Sequence, residues 1–425
     1  MDRFFGLFGI VVIFAIAFLM SNNRKAINYR LVLSGLGLQI FLAVFILKIP
    51  LGQDIFAFIG RIVTKLLDFS NEGAKFVFGF LGDKAVLEKI PGLNSSFIFV
   101  ISLMPAIIFV CVLVSMGYHL GIIQRVVLIL AKGMNKIMQI SGSEALSNVS
   151  SAFVGQVEAQ IMIKPYLSSM TMSELLASMT GSMACIAGGV MAVYIAMGVP
   201  AAYLLAASLM AAPAALVISK IVYPETQDSK TKGTVKLEIK KTSSNLLDAI
   251  SHGASDGMRV SLNVIAMLIG FIALIYLIDS ILGHGGRFLV RNTGASLAAI
   301  GIDLNTLSMK GIMGSIFSVF AYLLGVPWSE ARTVGSLMGT KLVINEFVAY
   351  ADLSVIKSTL SPKALAIASF ALCGFANFSS IAIQVGGISE LAPDRRKDLA
   401  RLGFKALICG TLTNYLSAAI AGILI

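Results

Sequence analysis

From Phe4 to Met20 the chain reads FFGLFGIVVIFAIAFLM, an apolar run without one charged side chain. About 20 such residues cross a bilayer as a helix, and this run is the first of several. Only 13% of the 425 residues are charged and 57% are hydrophobic, whereas a soluble domain carries about 25% charged residues. The chain therefore reads as an all-α polytopic membrane protein. Arg3 alone stands where a signal peptide would have a basic segment, and no small-residue cleavage site follows, so the first run is expected to be a retained helix.

Spans are expected at 4–20, 31–48, 96–118, 174–196, 201–222, 259–282, 364–388 and 404–425, about eight transmembrane helices. The segment 51–92 differs. Ile59, Ile62, Val63, Leu66 and Leu67 form one apolar stripe, with Arg61, Lys65, Asp68 and Glu72 on other faces, as in a helix lying in the interface. Residues 121–140 repeat that pattern.

Three basic clusters set the orientation: Arg24, Lys25 and Arg30; Lys230, Lys232, Lys236, Lys240 and Lys241; and Arg395, Arg396, Lys397 and Arg401. Placing all three in the cytoplasm puts both termini outside a cell (inner) membrane and needs an even number of spans. The net charge of +11 is thus a topology signal, with anionic lipid as a further contact for the long loop. No basic and aromatic stripe points to nucleic acid. The cysteines Cys111, Cys185, Cys373 and Cys409 have unrelated spacings, and His119, His252 and His284 form no ligand motif. The nineteen methionines are expected to pack toward lipid.

Two apolar stretches carry an acid: AFVGQVEAQIMI with Glu158, and LVINEFVAY with Glu346 beside Asn345. A charge at bilayer depth costs roughly 2.5–3.5 kcal/mol on the lenient scale, so both acids have a purpose. Extra full crossings would break the charge pattern, so both stretches are read as re-entrant hairpins. SEA precedes each acid, at Ser143–Ala145 and Ser329–Ala331. A serine follows each at fifteen residues (Ser173, Ser361) and a cysteine at twenty-seven (Cys185, Cys373). The first hairpin enters from the cytoplasm and the second from outside, which makes an inverted repeat, the plan of many secondary transporters. CIAGGV (185–190) and CGFANFSSIAI (373–383) mark where spans four and seven break. Broken backbone survives in a membrane only against protein or a cavity.

VGQVEA, KLVINEFVAY and ALCGFANFSSIAIQVGG resemble the concentrative nucleoside transporters over 140–425. The resemblance implies a transport domain of inverted repeats on a scaffold, a homotrimer, and nucleoside uptake driven by Na+ or, as the alternative, H+. It implies scaffold helices over 1–120, a first repeat over 121–222, a loop and scaffold span over 223–300 and a second repeat over 301–425. It assigns Gln156 and Glu158 to the nucleobase and Val190 to an apolar contact with it. Glu346, Asn377 and Ser380 go to the ribose, and Phe375 to the lining. Ser151, Val154, Cys185 and Ile186 stand at the sodium positions. A carboxylate accepts from both vicinal hydroxyls and an Asn amide donates and accepts, which suits a ribose. Two departures stand out. Val157 replaces a Thr, and Ser151 replaces the Asn of sodium-coupled members, as in proton-coupled ones. Ser379 is expected to bond helix backbone. An intramembrane enzyme would need a motif such as HExxH, which does not occur. A channel would show neither saturation nor uphill accumulation.

Overall fold

The computed structural model describes residues 2–87, 98–233, 243–293 and 304–425. Lys236, Lys240 and Lys241 of the basic loop lie outside the described residues, as do positions 96 and 97 of the third expected span. Among the described residues the chain is helical, with one isolated bridge between Ser141 and Lys232.

Each expected span has its helix. Spans 1 to 3 are Asp2–Leu19, Tyr29–Leu47 and Phe99–His119. Span 4 is two pieces, Met172–Ala184 and Gly188–Ala196, and span 5 is Ala201–Val222. Span 6 lies within Leu246–Thr293, and span 7 is Pro362–Leu372 plus Phe378–Leu391. Span 8 is Arg396–Leu424. Five helices are long and apolar enough to cross on those two criteria alone: spans 2, 4, 5, 6 and 8. Span 3 is followed, after a 72° bend, by the amphipathic helix Ile122–Met138.

Span 6 runs for 48 residues, well beyond the expected 259–282. Its buried face steps by four, through Ala249, Gly253, Gly257 and Ser261. These small residues let span 3 approach closely: a Cβ on Gly257 would lie 2.5 Å from Ile108 Cα. Small residues at that spacing pack membrane helices by contact rather than by burial from water. Pro50–Phe78 forms one amphipathic helix, with Pro50 in its first turn and Ile55, Phe58, Ile62 and Phe69 exposed, as the stripe predicted.

The two hairpins hold the middle of the molecule. Hairpin 1 runs from Gly142–Ser151 through a tip to the short helices Glu158–Ile161 and Lys164–Leu167. Hairpin 2 is Trp328–Val343 and Glu346–Ile356, entered from Met309–Leu323 after a 117° bend. Capping boxes start the first hairpin (Ser141 with Glu144) and span 4 (Thr171 with Glu174), each satisfying donors that a helix start leaves free.

The repeat is visible in the contacts. In the first unit Ser143 meets Glu174, Ser147 meets Ser178 and Ser151 meets Ser182; in the second, Glu330 meets Ser361 and Glu346 meets Asn377. Every one of these pairs is 31 residues apart. The hairpin thus lies along the following broken span in both units, through its first arm in the first unit, and through Glu330 of the first arm and Glu346 of the second arm in the second unit. The matched serines do not share a role, however. Ser361 caps span 7, but Thr171 caps span 4, and Ser173 bonds the Tyr223 carbonyl. The methionines also depart from expectation. Met134, Met138, Met179, Met183, Met210 and Met338 are buried in the core, where an unbranched thioether fills irregular gaps.

Candidate functional site

Both spans break where the sequence placed the breaks, with sharper limits. Span 4 opens at Cys185–Ala187, and Gly188 and Gly189 already begin its second half. Span 7 opens at Cys373–Asn377, so Ser379 and Ser380 lie in its second half. The two breaks touch. Gly374 has φ +90°, and a Cβ there would stand 2.4 Å from the Ala184 carbonyl oxygen. Only glycine takes that conformation cheaply and allows that approach.

A cavity of about 1250 Å³ lies beside the crossing. Gln156, Glu158, Val190 and Phe375 line it, as do Val154 and Phe347. The scaffold contributes Tyr118 from span 3 and Asp256, Arg259 and Asn263 from span 6, and the cavity reaches Lys164, Ser243 and His252. Glu158 is exposed to it, and its carboxylate folds over Gly155, where a Cβ would sit 2.0 Å from Oε2.

Glu346, Asn377 and Ser380 are not on the cavity wall. They form a buried cluster beside the lining residues Phe347, next to Glu346 in the chain, and Phe375, whose carbonyl accepts from the Asn377 amide. Asn377 Nδ2 donates to Glu346 Oε2 at 2.9 Å, and Tyr194 donates to Oε1 at 3.3 Å. Asn377 Oδ1 accepts from the Ser380 amide at 2.9 Å, which caps the second half of span 7. Asn345 caps the second arm of hairpin 2 in the same way, accepting from the Val348 amide at 2.9 Å. Two helix starts, with their positive dipole ends, thus meet around one carboxylate. Ser379 donates to the Asn377 side chain at 2.7 Å, not to helix backbone as the sequence suggested. Gln384 Nε2 reaches Gln156 Oε1 at 3.5 Å and the Met179 carbonyl at 3.2 Å, which ties span 7 to the tip of hairpin 1.

Ser151, Val154, Cys185 and Ile186 all converge on the break in span 4 and are buried. The carbonyls of Val154, Cys185 and Ile186 accept no hydrogen bond from the described residues. Buried unpaired carbonyls are costly, and a hard monovalent cation is one group that satisfies them. Ser151 Oγ is already engaged, donating to the Ser147 carbonyl at 2.8 Å and meeting Ser182 at 3.1 Å. The thiol of Cys185 turns away toward the Ser208 carbonyl.

Sequence reasoning passed over Tyr194, Lys341, Gln384 and Asn414, all buried at this crossing. A lone lysine in the hairpin arm and a lone asparagine in the last span were the signals available.

Comparison with known proteins agrees with this architecture. The family description "Na+ dependent nucleoside transporter" matches 8–81 with its N-terminal part and 203–422 with its C-terminal part, and "Nucleoside recognition" matches 100–201. The nucleoside permease NupC of Helicobacter pylori is 37% identical over 99% of this chain and 97% of its own. The chain belongs to the concentrative nucleoside transporter family. An uncharacterized transporter of Haemophilus influenzae is 44% identical over 98% of this chain and 96% of its own. Sodium/nucleoside cotransporter 1 of Rattus norvegicus is 37% identical over 98% of this chain and 63% of its own length. The structure of CNTnw in an inward-facing substrate-bound state superposes with a TM-score of 0.91 at 39% identity, covering 100% of this chain and 98% of that one. These relatives are transporters, not enzymes.

Proposed function

We propose that this protein is a sodium-coupled nucleoside symporter that brings nucleosides such as uridine into the cell by alternating access. The observation that carries the reading is the cavity lined by Gln156, Glu158, Val190 and Phe375, whose lining residue Phe347 adjoins the buried Glu346–Asn377 pair. A nucleobase needs an amide edge and apolar faces, which Gln156, Val190 and Phe375 supply. A ribose needs paired acceptors and donors, which Glu346, Asn377 and Ser380 supply once Phe347 and Phe375 give way. The exposed Glu158 adds an acceptor on the base side. The cavity exceeds the roughly 300–1,000 Å³ usual for a ligand pocket, because it continues to Lys164 and Ser243 on the side of the basic loop. That is the shape of a site open toward the cytoplasm.

Sodium at the span 4 break, held by Ser151, Val154, Cys185 and Ile186, would tie hairpin 1 to span 4 and complete the substrate side. Proton coupling is the second reading. It is favoured by one observation: Ser151 Oγ is already spent on Ser147 and Ser182. In both readings the two repeats, over 121–222 and 301–425, move as an elevator against scaffold segments over 1–120 and 223–300. The protein acts as a homotrimer in the inner membrane, with both termini outside.

Competition for uridine binding tests the site. A buried polar site rejects an analogue lacking its hydroxyl strongly, by up to about 10⁴-fold. 2′,3′-Dideoxyuridine is expected to compete at least about a hundredfold more weakly than uridine, while changes on the base matter less. Equal competition would remove the ribose assignment.

A further inference from the structure

Any broken helix must satisfy the carbonyls that it frees. At the break in span 7 one side chain does this. Lys341 Nζ donates to the Ala371 carbonyl at 2.9 Å, to the Cys373 carbonyl at 2.7 Å and to Asn414 Oδ1 at 2.8 Å. An ammonium has three donors, and all three are used. Lys341 is only 2% exposed, and it makes none of the ion pairs among the described residues. A full positive charge is therefore held by neutral oxygens and the negative end of a helix. Ion filters hold a bound monovalent cation in the same manner, with carbonyls replacing water.

The first repeat has no such lysine. Lys341 stands five residues before Glu346, and five before Glu158 stands Phe153. Phe153 packs against Ala152, Ala184 and Cys185 at the break in span 4, and there the carbonyls of Cys185 and Ile186 accept nothing from the described residues. Asn414 joins the two places: its Oδ1 accepts from Lys341 and its Nδ2 donates to the Ala184 carbonyl at 2.7 Å.

We propose that Lys341 is a tethered cation, whose ammonium fills at the second break the kind of oxygen-lined place that the first break keeps for a free one. Shortening Lys341 then creates a second, exchangeable site for a small monovalent cation between Ala371, Cys373 and Asn414. The comparison with the first break rests on the sodium reading above; the second-break site rests on Lys341 alone.

The test is thermal melting of the full-length protein in detergent, titrated with sodium and with methylammonium against choline. Lys341→Ala is expected to melt lower in choline and to gain about 3 °C more than wild type at saturating sodium or methylammonium. Lys341→Met, which fills the space without a charge, is expected to show only the wild-type response. A Lys341→Ala response no larger than that of wild type overturns the proposal. If that variant is not recovered folded, Lys341→Ala/Asn414→Asp decides, because it adds a carboxylate beside the vacated space. Recovery in sodium with unfolding on exchange into choline supports the tethered cation; failure to recover it overturns it. A wild type indifferent to sodium beside a responsive Lys341→Ala would sink the sodium reading and keep this one.

Discussion

The two helix breaks begin alike and end differently. Each opens at a buried cysteine, Cys185 or Cys373, and each lies beside a hairpin that carries a glutamate. At the first, the carbonyls of Val154, Cys185 and Ile186 are left without a described partner. At the second, Lys341 takes the Cys373 carbonyl, and Asn377 caps the next half-helix while holding Glu346. One break is thus finished by the protein's own side chains, and the other keeps three carbonyls without a partner among the described residues. An inverted repeat need not repeat its chemistry. It supplies two similar openings, and here the first leaves carbonyls unpaired among the described residues while the second holds a fixed polar cluster.

The largest expected effect comes from spoiling the contact between the breaks. Gly374→Ala forces a Cβ against the Ala184 carbonyl at a positive φ, a cost of about 3 kcal/mol; a lower melting temperature and less folded protein in membranes would show it. Next is Glu346→Gln, which keeps the shape and removes the charge that Asn377 and Tyr194 bond. Uridine affinity should fall about a hundredfold, roughly 3 kcal/mol, with the protein still folded; isothermal titration measures it, and unchanged binding would refute the ribose role. Gly155→Ala acts at the tip of hairpin 1, where it pushes the Glu158 carboxylate off its perch. Uptake should fall roughly tenfold, about 1.4 kcal/mol, with melting little changed. A smaller and opposite effect is expected of Ser151→Asn, which adds a carbonyl oxygen at the open break. Half-maximal sodium for uptake should drop a few-fold, on the order of one added ligand oxygen. Ser379→Ala should change transport less than about twofold, since Asn377 keeps its bonds to Glu346 and the Ser380 amide.

Much of this was legible in the sequence, and for a physical reason. A carboxylate is expensive in an apolar run, so Glu158 and Glu346 announced the hairpins. Glycine and asparagine inside apolar spans announced the breaks. The resemblance assigned Asn377 to the ribose, and the structure shows that its amide oxygen also caps a helix. The Lys341 arrangement was not legible, because its partners lie 30, 32 and 73 residues away and two of them are backbone oxygens, which any residue supplies. The length of span 6 was hidden too. The expected span begins only at Arg259, whereas the helix already starts at Leu246 and brings His252 and Asp256, with Arg259, to the cavity wall. Ser173 and Ser361 matched in spacing but not in role, since Thr171, two residues earlier, had already taken the capping position.

The central claim is that a cation from solution completes the first break and drives nucleoside uptake. Uridine accumulation in proteoliposomes tests it, with an inward sodium gradient in one set and an inward proton gradient in the other. The account predicts uphill accumulation with sodium and none with protons alone. Accumulation driven only by protons, with sodium without effect, would contradict it and leave the free carbonyls around Cys185 without their ion.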